Sequence, residues 1–66
     1  INIVLDLSNK LFVIKEYDNA FNLLLKNYPK HKEKIKKQLL NFFDALGGTN
    51  EKTVYYRKKF SSIMFS

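Results

Sequence analysis

Ile35-Lys36-Lys37-Gln38-Leu39-Leu40-Asn41-Phe42-Phe43-Asp44-Ala45-Leu46-Gly47-Gly48 is the stretch that decides the fold. Ile35, Leu39, Phe42, Phe43 and Leu46 recur at helical spacing and form one apolar stripe, with Leu40 at its edge. Lys34, Lys37, Asn41 and Asp44 point the other way. Gly47 supplies a stop, because glycine enters backbone regions closed to other residues at low cost. A helix this apolar on one side requires partners, and the flanking sequence predicts three more helices to supply them.

Upstream, residues 1 to 14 read as a helix, with Val4, Leu7, Leu11 and Ile14 on one face, Ser8 among them and Phe12 beside them. The β-branched run at Ile1–Leu5 also fits a strand, but no partner strand is evident, so helix is favoured. Lys15 and Glu16 form a short connection. A second helix then runs from Tyr17 to Tyr28 with Tyr17, Ala20, Phe21, Leu23, Leu24 and Tyr28 as its apolar positions. Asp18 suits its first turn and Lys26 its last. So short a connection predicts an antiparallel hairpin.

Downstream, Pro29 breaks the second helix and is compatible with the start of the third, since first-turn amides have no helical partner. The third helix is expected over Lys30–Leu46, with a lysine-rich first half. Gly47-Gly48-Thr49-Asn50 reads as a turn in which Thr49 or Asn50 caps a fourth helix, Glu51–Phe65. There Tyr56, Phe60, Ile63 and Met64 line one face, while Val54 and Phe65 fall nearly opposite. The expected architecture is all-α: four helices in two antiparallel hairpins, 1–28 and 30–65, within a single domain. Phe42, Phe43, Phe60, Leu24, Phe21, Leu11 and Leu7 are the core candidates, and the third helix is central.

Composition narrows the function classes. The chain has 66 residues, no Cys, a single His and a formal net charge of +6. A domain this small buries a modest share of its surface and is marginally stable. The lack of cysteine excludes disulfides and thiolate metal sites. With 45% hydrophobic residues the chain is too apolar for a disordered tail. No apolar run is long enough to span a membrane, and each apolar stripe has a partner helix, so no membrane role is expected. The first residue is Ile rather than Met; a C-terminal fragment of a longer protein is therefore expected.

No constellation points to catalysis. His31 sits within the lysine run with only Glu33 as a nearby acid. Asp6, Asp18, Asp44 and Glu51 are scattered without the pairing of a glycosidase or calcium site. Gly47-Gly48 lacks the other elements of a phosphate loop. The four tyrosines suit core and rim positions better than a base-stacking platform. The expectation is a non-enzyme without cofactor or metal. A basic nucleic-acid-binding module is the alternative, and it would cluster Lys34, Lys37, Arg57 and Lys58 on one face. Eleven of the twelve basic residues are lysines, whereas phosphate and base recognition leans on arginine forks, so nucleic acid is disfavoured. A helical scaffold or regulatory domain is the third reading.

In the first hairpin Val4, Leu7, Ser8, Leu11, Tyr17, Ala20, Leu24 and Pro29 resemble the spaced consensus of tetratricopeptide-like repeats. A narrower resemblance covers about residues 1 to 65. Tyr17–Leu25, Leu39–Gly47 and Tyr56–Phe65 resemble, in order, helices of the C-terminal domain of bacterial thioredoxin-like chaperones, the chaperedoxins. That resemblance implies a right-handed tetratricopeptide-like stack following a thioredoxin fold, in a cytoplasmic protein that holds unfolded clients and passes them to a folding chaperone. Self-association through surfaces meant for further repeats is also expected. Lys30, Lys34, Lys37, Val54, Arg57, Lys58, Met64 and Phe65 are the candidate interaction surface, and its three apolar positions, Val54, Met64 and Phe65, are included because they are expected to be left uncovered.

Overall fold

The computed structural model describes residues 1–65. Its elements are α1 (Asn2–Val13), α2 (Tyr17–Asn27), a single 3-10 turn (Tyr28–Lys30), α3 (Lys32–Leu46) and α4 (Glu51–Met64). The all-α expectation and both hairpins hold.

Backbone hydrogen bonds explain the tight turn of the first hairpin. At the end of α1 the Lys15 amide donates to the Phe12 carbonyl at 3.0 Å and the Glu16 amide to the Leu11 carbonyl at 2.8 Å. This is the Schellman arrangement, which satisfies carbonyls that the helix end would leave open. It places Lys15 at φ 65°, a conformation glycine adopts more easily. In the second hairpin the demand falls on a glycine. Gly47 has φ 92° and ψ 148°, in a region open essentially to glycine alone. Asn50 then caps α4, its side-chain oxygen accepting from the Lys52 amide at 2.8 Å.

Pro29 acts differently from the expectation. It stands inside the 3-10 turn, and α3 begins two residues later than predicted, with His31 at its N-cap. The proline thus bends the chain between hairpins and does not open α3.

The two hairpins stack in parallel. Gln38 of α3 reaches Ser8 and Asn9 of α1, and Phe42 stacks on Phe12 with ring centroids 4.2 Å apart. Both contacts advance together along the two helices, so α1 and α3 run the same way. Likewise Asp18 meets Lys52 near the starts of α2 and α4, and Tyr28, just past the end of α2, meets Phe60 farther along α4. α2 and α3 each touch all three other helices, whereas α1 and α4 do not meet. Adjacent parallel hairpins with their like helices side by side are the geometry of a repeat stack.

The core is made of Ala20, Phe21, Leu24, Leu25 and Tyr28 from hairpin one, and Ile35, Leu39, Phe42, Phe43, Tyr56 and Phe60 from hairpin two. Phe21 is its hub. Its ring lies 5.4 Å from Phe43 and 4.6 Å from Tyr56, both stacked, and 5.9 Å edge-on to Phe42.

Two sequence expectations fail here. Leu7 was expected in the core and is 45% exposed, and Ile14 is 67% exposed. The buried face of α1 is turned toward Val4, Leu5, Ser8, Leu11 and Phe12. The cause is Phe12, whose ring is gripped between Phe42 and Tyr17, together with Ser8, the one fully buried residue of α1, where a small side chain permits close approach. The opposite omission occurs in α2: Leu25, absent from its expected apolar stripe, is buried. α2 has neighbours on two sides, so one stripe could not describe it.

Candidate interaction surface

The side chains singled out from sequence do not form one surface. Lys34 and Lys37 are exposed on α3, and Arg57 and Lys58 are exposed on α4. The Arg57 guanidinium lies over the Phe43 ring, 5.5 Å from its centroid. On the helical wheel Lys34 is about 180° and Lys37 about 120° from Phe43, at roughly 100° per residue. The α3 lysines therefore point away from the side of α3 that Arg57 covers. The single basic face required by a nucleic-acid module is not assembled. Lys30 lies in the 3-10 turn, exposed and separate from both groups.

Of the apolar candidates, Val54 is 44% and Phe65 82% exposed. Met64 was singled out as uncovered and is not: it is half-buried against the core. It follows Ile63 on the flank of α4 that Phe60 carries inward, and so shares in the core packing.

α4 presents an open groove of about 420 Å³ lined by Val54, Arg57, Lys58 and Ser61. These positions recur at the spacing of one helix face. Leu40, one turn before Phe43 on α3, is 47% exposed.

Three polar features were not foreseen. The first ties α2 to α4. Lys52 Nζ donates to both carboxylate oxygens of Asp18, at 2.9 and 2.8 Å, and the Tyr56 hydroxyl donates to Asp18 Oδ1 at 2.6 Å. The hydrogen bonds from Lys52 and Tyr56 hold the Asp18 carboxyl below its ordinary 3.8. Burial, then the adjacent carboxylate, pushes the Tyr56 phenol above its ordinary 10.0. Sequence reasoning assigned Asp18 only to the α2 helix end; no local signal links residues this far apart. The second is Gln38, whose amide donates to Asn9 Oδ1 at 2.8 Å and joins α1 to α3. The third is Thr53, fully buried, with no hydrogen-bond partner for its hydroxyl.

His31 is exposed at the start of α3. Among the described residues no group of three or more His, Cys, Asp or Glu is placed to hold a metal ion. Among the same residues no helix is long and apolar enough to cross a membrane.

The tetratricopeptide repeat family model matches residues 1–65, essentially the whole chain. The chain belongs to the tetratricopeptide repeat family. Such repeats generally mediate protein–protein interaction and typically do so without catalysis. The match agrees with the parallel stacking of the two hairpins, each of which is one repeat unit. No curated protein and no solved structure gives a significant match.

Proposed function

We propose that this tetratricopeptide repeat is the non-catalytic interaction module of a bacterial, cytoplasmic thioredoxin-like chaperone or co-chaperone, carried at the C-terminal end of a longer chain. Its partners are proteins: unfolded clients, or a folding chaperone that receives them. The observation that carries the reading is the parallel stack of two repeat hairpins, which leaves helix faces available for contact while the aromatic core joins the hairpins. The resemblance of Tyr17–Leu25, Leu39–Gly47 and Tyr56–Phe65 to successive helices of the chaperedoxin C-terminal domain supports the chaperone setting. Exposed Leu7, Val13, Ile14, Leu40 and Phe65 offer apolar contact to a client without forming one deep pocket.

The test is an aggregation assay. A chemically denatured model protein is diluted into buffer with and without the 66-residue chain, and light scattering is followed. Suppression of scattering near equimolar ratio is the expected result. Scattering unchanged at a tenfold molar excess of the chain would overturn the client-holding role.

A further inference from the structure

We propose that the open face of α4 docks an acidic amphipathic helix from a partner protein. The proposal rests on the chain being an interaction module; it specifies where one partner sits and what chemistry that partner has.

The molecule carries its own template for such a contact. On α2 and at the start of the 3-10 turn that follows it, Phe21, Leu24, Leu25 and Tyr28 form a stripe, all of it buried. Phe21 and Tyr28 of that stripe meet the rings of hairpin two. Moving 33 positions along the chain (54 − 21 = 33) converts the stripe into Val54, Arg57, Lys58 and Ser61. Those four residues line the α4 groove. The same shift carries fully buried Ala20 onto fully buried Thr53, so the two helices present matching faces in the same phase. The α2 face is covered by helices; the α4 face is bare.

What differs is the chemistry of the bare face, and that selects the occupant. Two of its four positions are cationic. Among the described residues the ion pair present is Lys52 with Asp18, so neither Arg57 nor Lys58 is matched by a carboxylate there. Arg57 is already oriented by the Phe43 ring, which reduces the side-chain ordering that binding would require. Val54, 44% exposed and lining the same face, gives apolar contact beside these cations. A helix with a leucine stripe flanked by glutamates complements all of these features. A second copy of this chain does not, because it brings another net charge of +6.

The experiment uses the 66-residue chain, labelled with nitrogen-15, and two synthetic helical peptides. One has leucines at helical spacing flanked by glutamates; the other has lysines in place of the glutamates. The expected result is that the acidic peptide shifts amide resonances of residues 54–61 and the lysine peptide does not. Lys58→Glu should weaken the acidic peptide about tenfold, in line with a contact at the polar rim, and should admit the lysine peptide. Lys58 is exposed, so the variant tests docking with little demand on the fold; Arg57→Gln is the companion variant, and both are checked by circular dichroism. Shifts centred on Asn9 and Gln38 would overturn the proposal, as would unchanged affinity in Lys58→Glu. Concentration-dependent dimerisation that shifts residues 54–61 would assign the face to a second copy. Duplex DNA producing the same shifts more tightly than the acidic peptide would assign it to a polyanion. The aggregation assay reads client holding independently: loss of peptide binding with suppression intact overturns this site and leaves the broader function standing.

Discussion

The two hairpins have the same topology but solve different problems. Hairpin one turns on a strained lysine and hairpin two on a glycine. Hairpin one sends its second helix into the middle of the molecule, while hairpin two leaves one face of its second helix open. The lesson is that equivalent positions in a repeat carry energy according to what covers them, not according to their place in the unit.

The largest effect expected is at the covered position. Phe21→Ala removes the ring that Phe42, Phe43 and Tyr56 surround and should cost about 3–5 kcal/mol. For a chain of this length the total stability is on the order of 3–10 kcal/mol, so urea titration should find this variant largely unfolded or close to it. Val54→Ala, one repeat on, should stay within about 0.5 kcal/mol of the parent. Similar losses at the two sites would break the contrast between hairpins.

That contrast was only partly readable from sequence. Helical periodicity locates all four helices because each has an apolar face repeating near 3.6 residues. It assigns Phe42, Phe43 and Phe60 correctly to the core, since bulky rings in a stripe have nowhere else to go. It misplaces Leu7 because a stripe on α1 has two defensible phases, and the choice was made by Phe12 packing on a residue 30 positions away. Thr53 and the Asp18–Lys52–Tyr56 link were unreadable for the same reason: each depends on a neighbour brought by folding. At the candidate surface positions only exposure can be compared with the sequence. Val54, Arg57, Lys58 and Phe65 are exposed as expected, Met64 is not fully so, and the lysines of α3 belong to a different face.

The link between hairpins provides the next test. Asp18 has a lowered carboxyl pKa, so its stabilising effect is complete above the ordinary carboxylate range. It is lost as pH falls through 3.8 and on through the folded value. Tyr56 has a raised pKa, so its effect is complete below its ordinary 10.0 and is lost as pH rises through the folded value. Thermal melts across pH should show the acid limb flattened in Asp18→Ala. An unchanged acid limb would mean that the hairpins are joined by the aromatic core without help from this carboxylate.

Thr53 sharpens the comparison with its counterpart Ala20. A buried hydroxyl without a partner opposes folding. Thr53→Val keeps the shape and removes the polar atom, and should raise stability by about 1 kcal/mol in urea titration. No gain would show that the hydroxyl is satisfied in solution.

The smallest effect concerns the turns. Lys15→Gly relieves a left-handed backbone position at the end of α1 and should stabilise by about 0.5 kcal/mol, the relief being partly offset by the greater freedom of glycine in the unfolded chain. If the variant is less stable than the parent, the lysine side chain contributes something at that turn beyond its backbone geometry.

The central placement of Phe21 also has a consequence in time. The contacts within each hairpin close short loops and should form early, whereas the rings around Phe21 come from residues 42, 43 and 56. Joining them closes loops that run from one hairpin to the other, and topology of this kind sets the pace in small helical proteins. The slow event should therefore be the seating of one ring between two preformed hairpins. Folding should slow when that ring is trimmed to a smaller apolar side chain, with little change in the rate at which the native molecule opens.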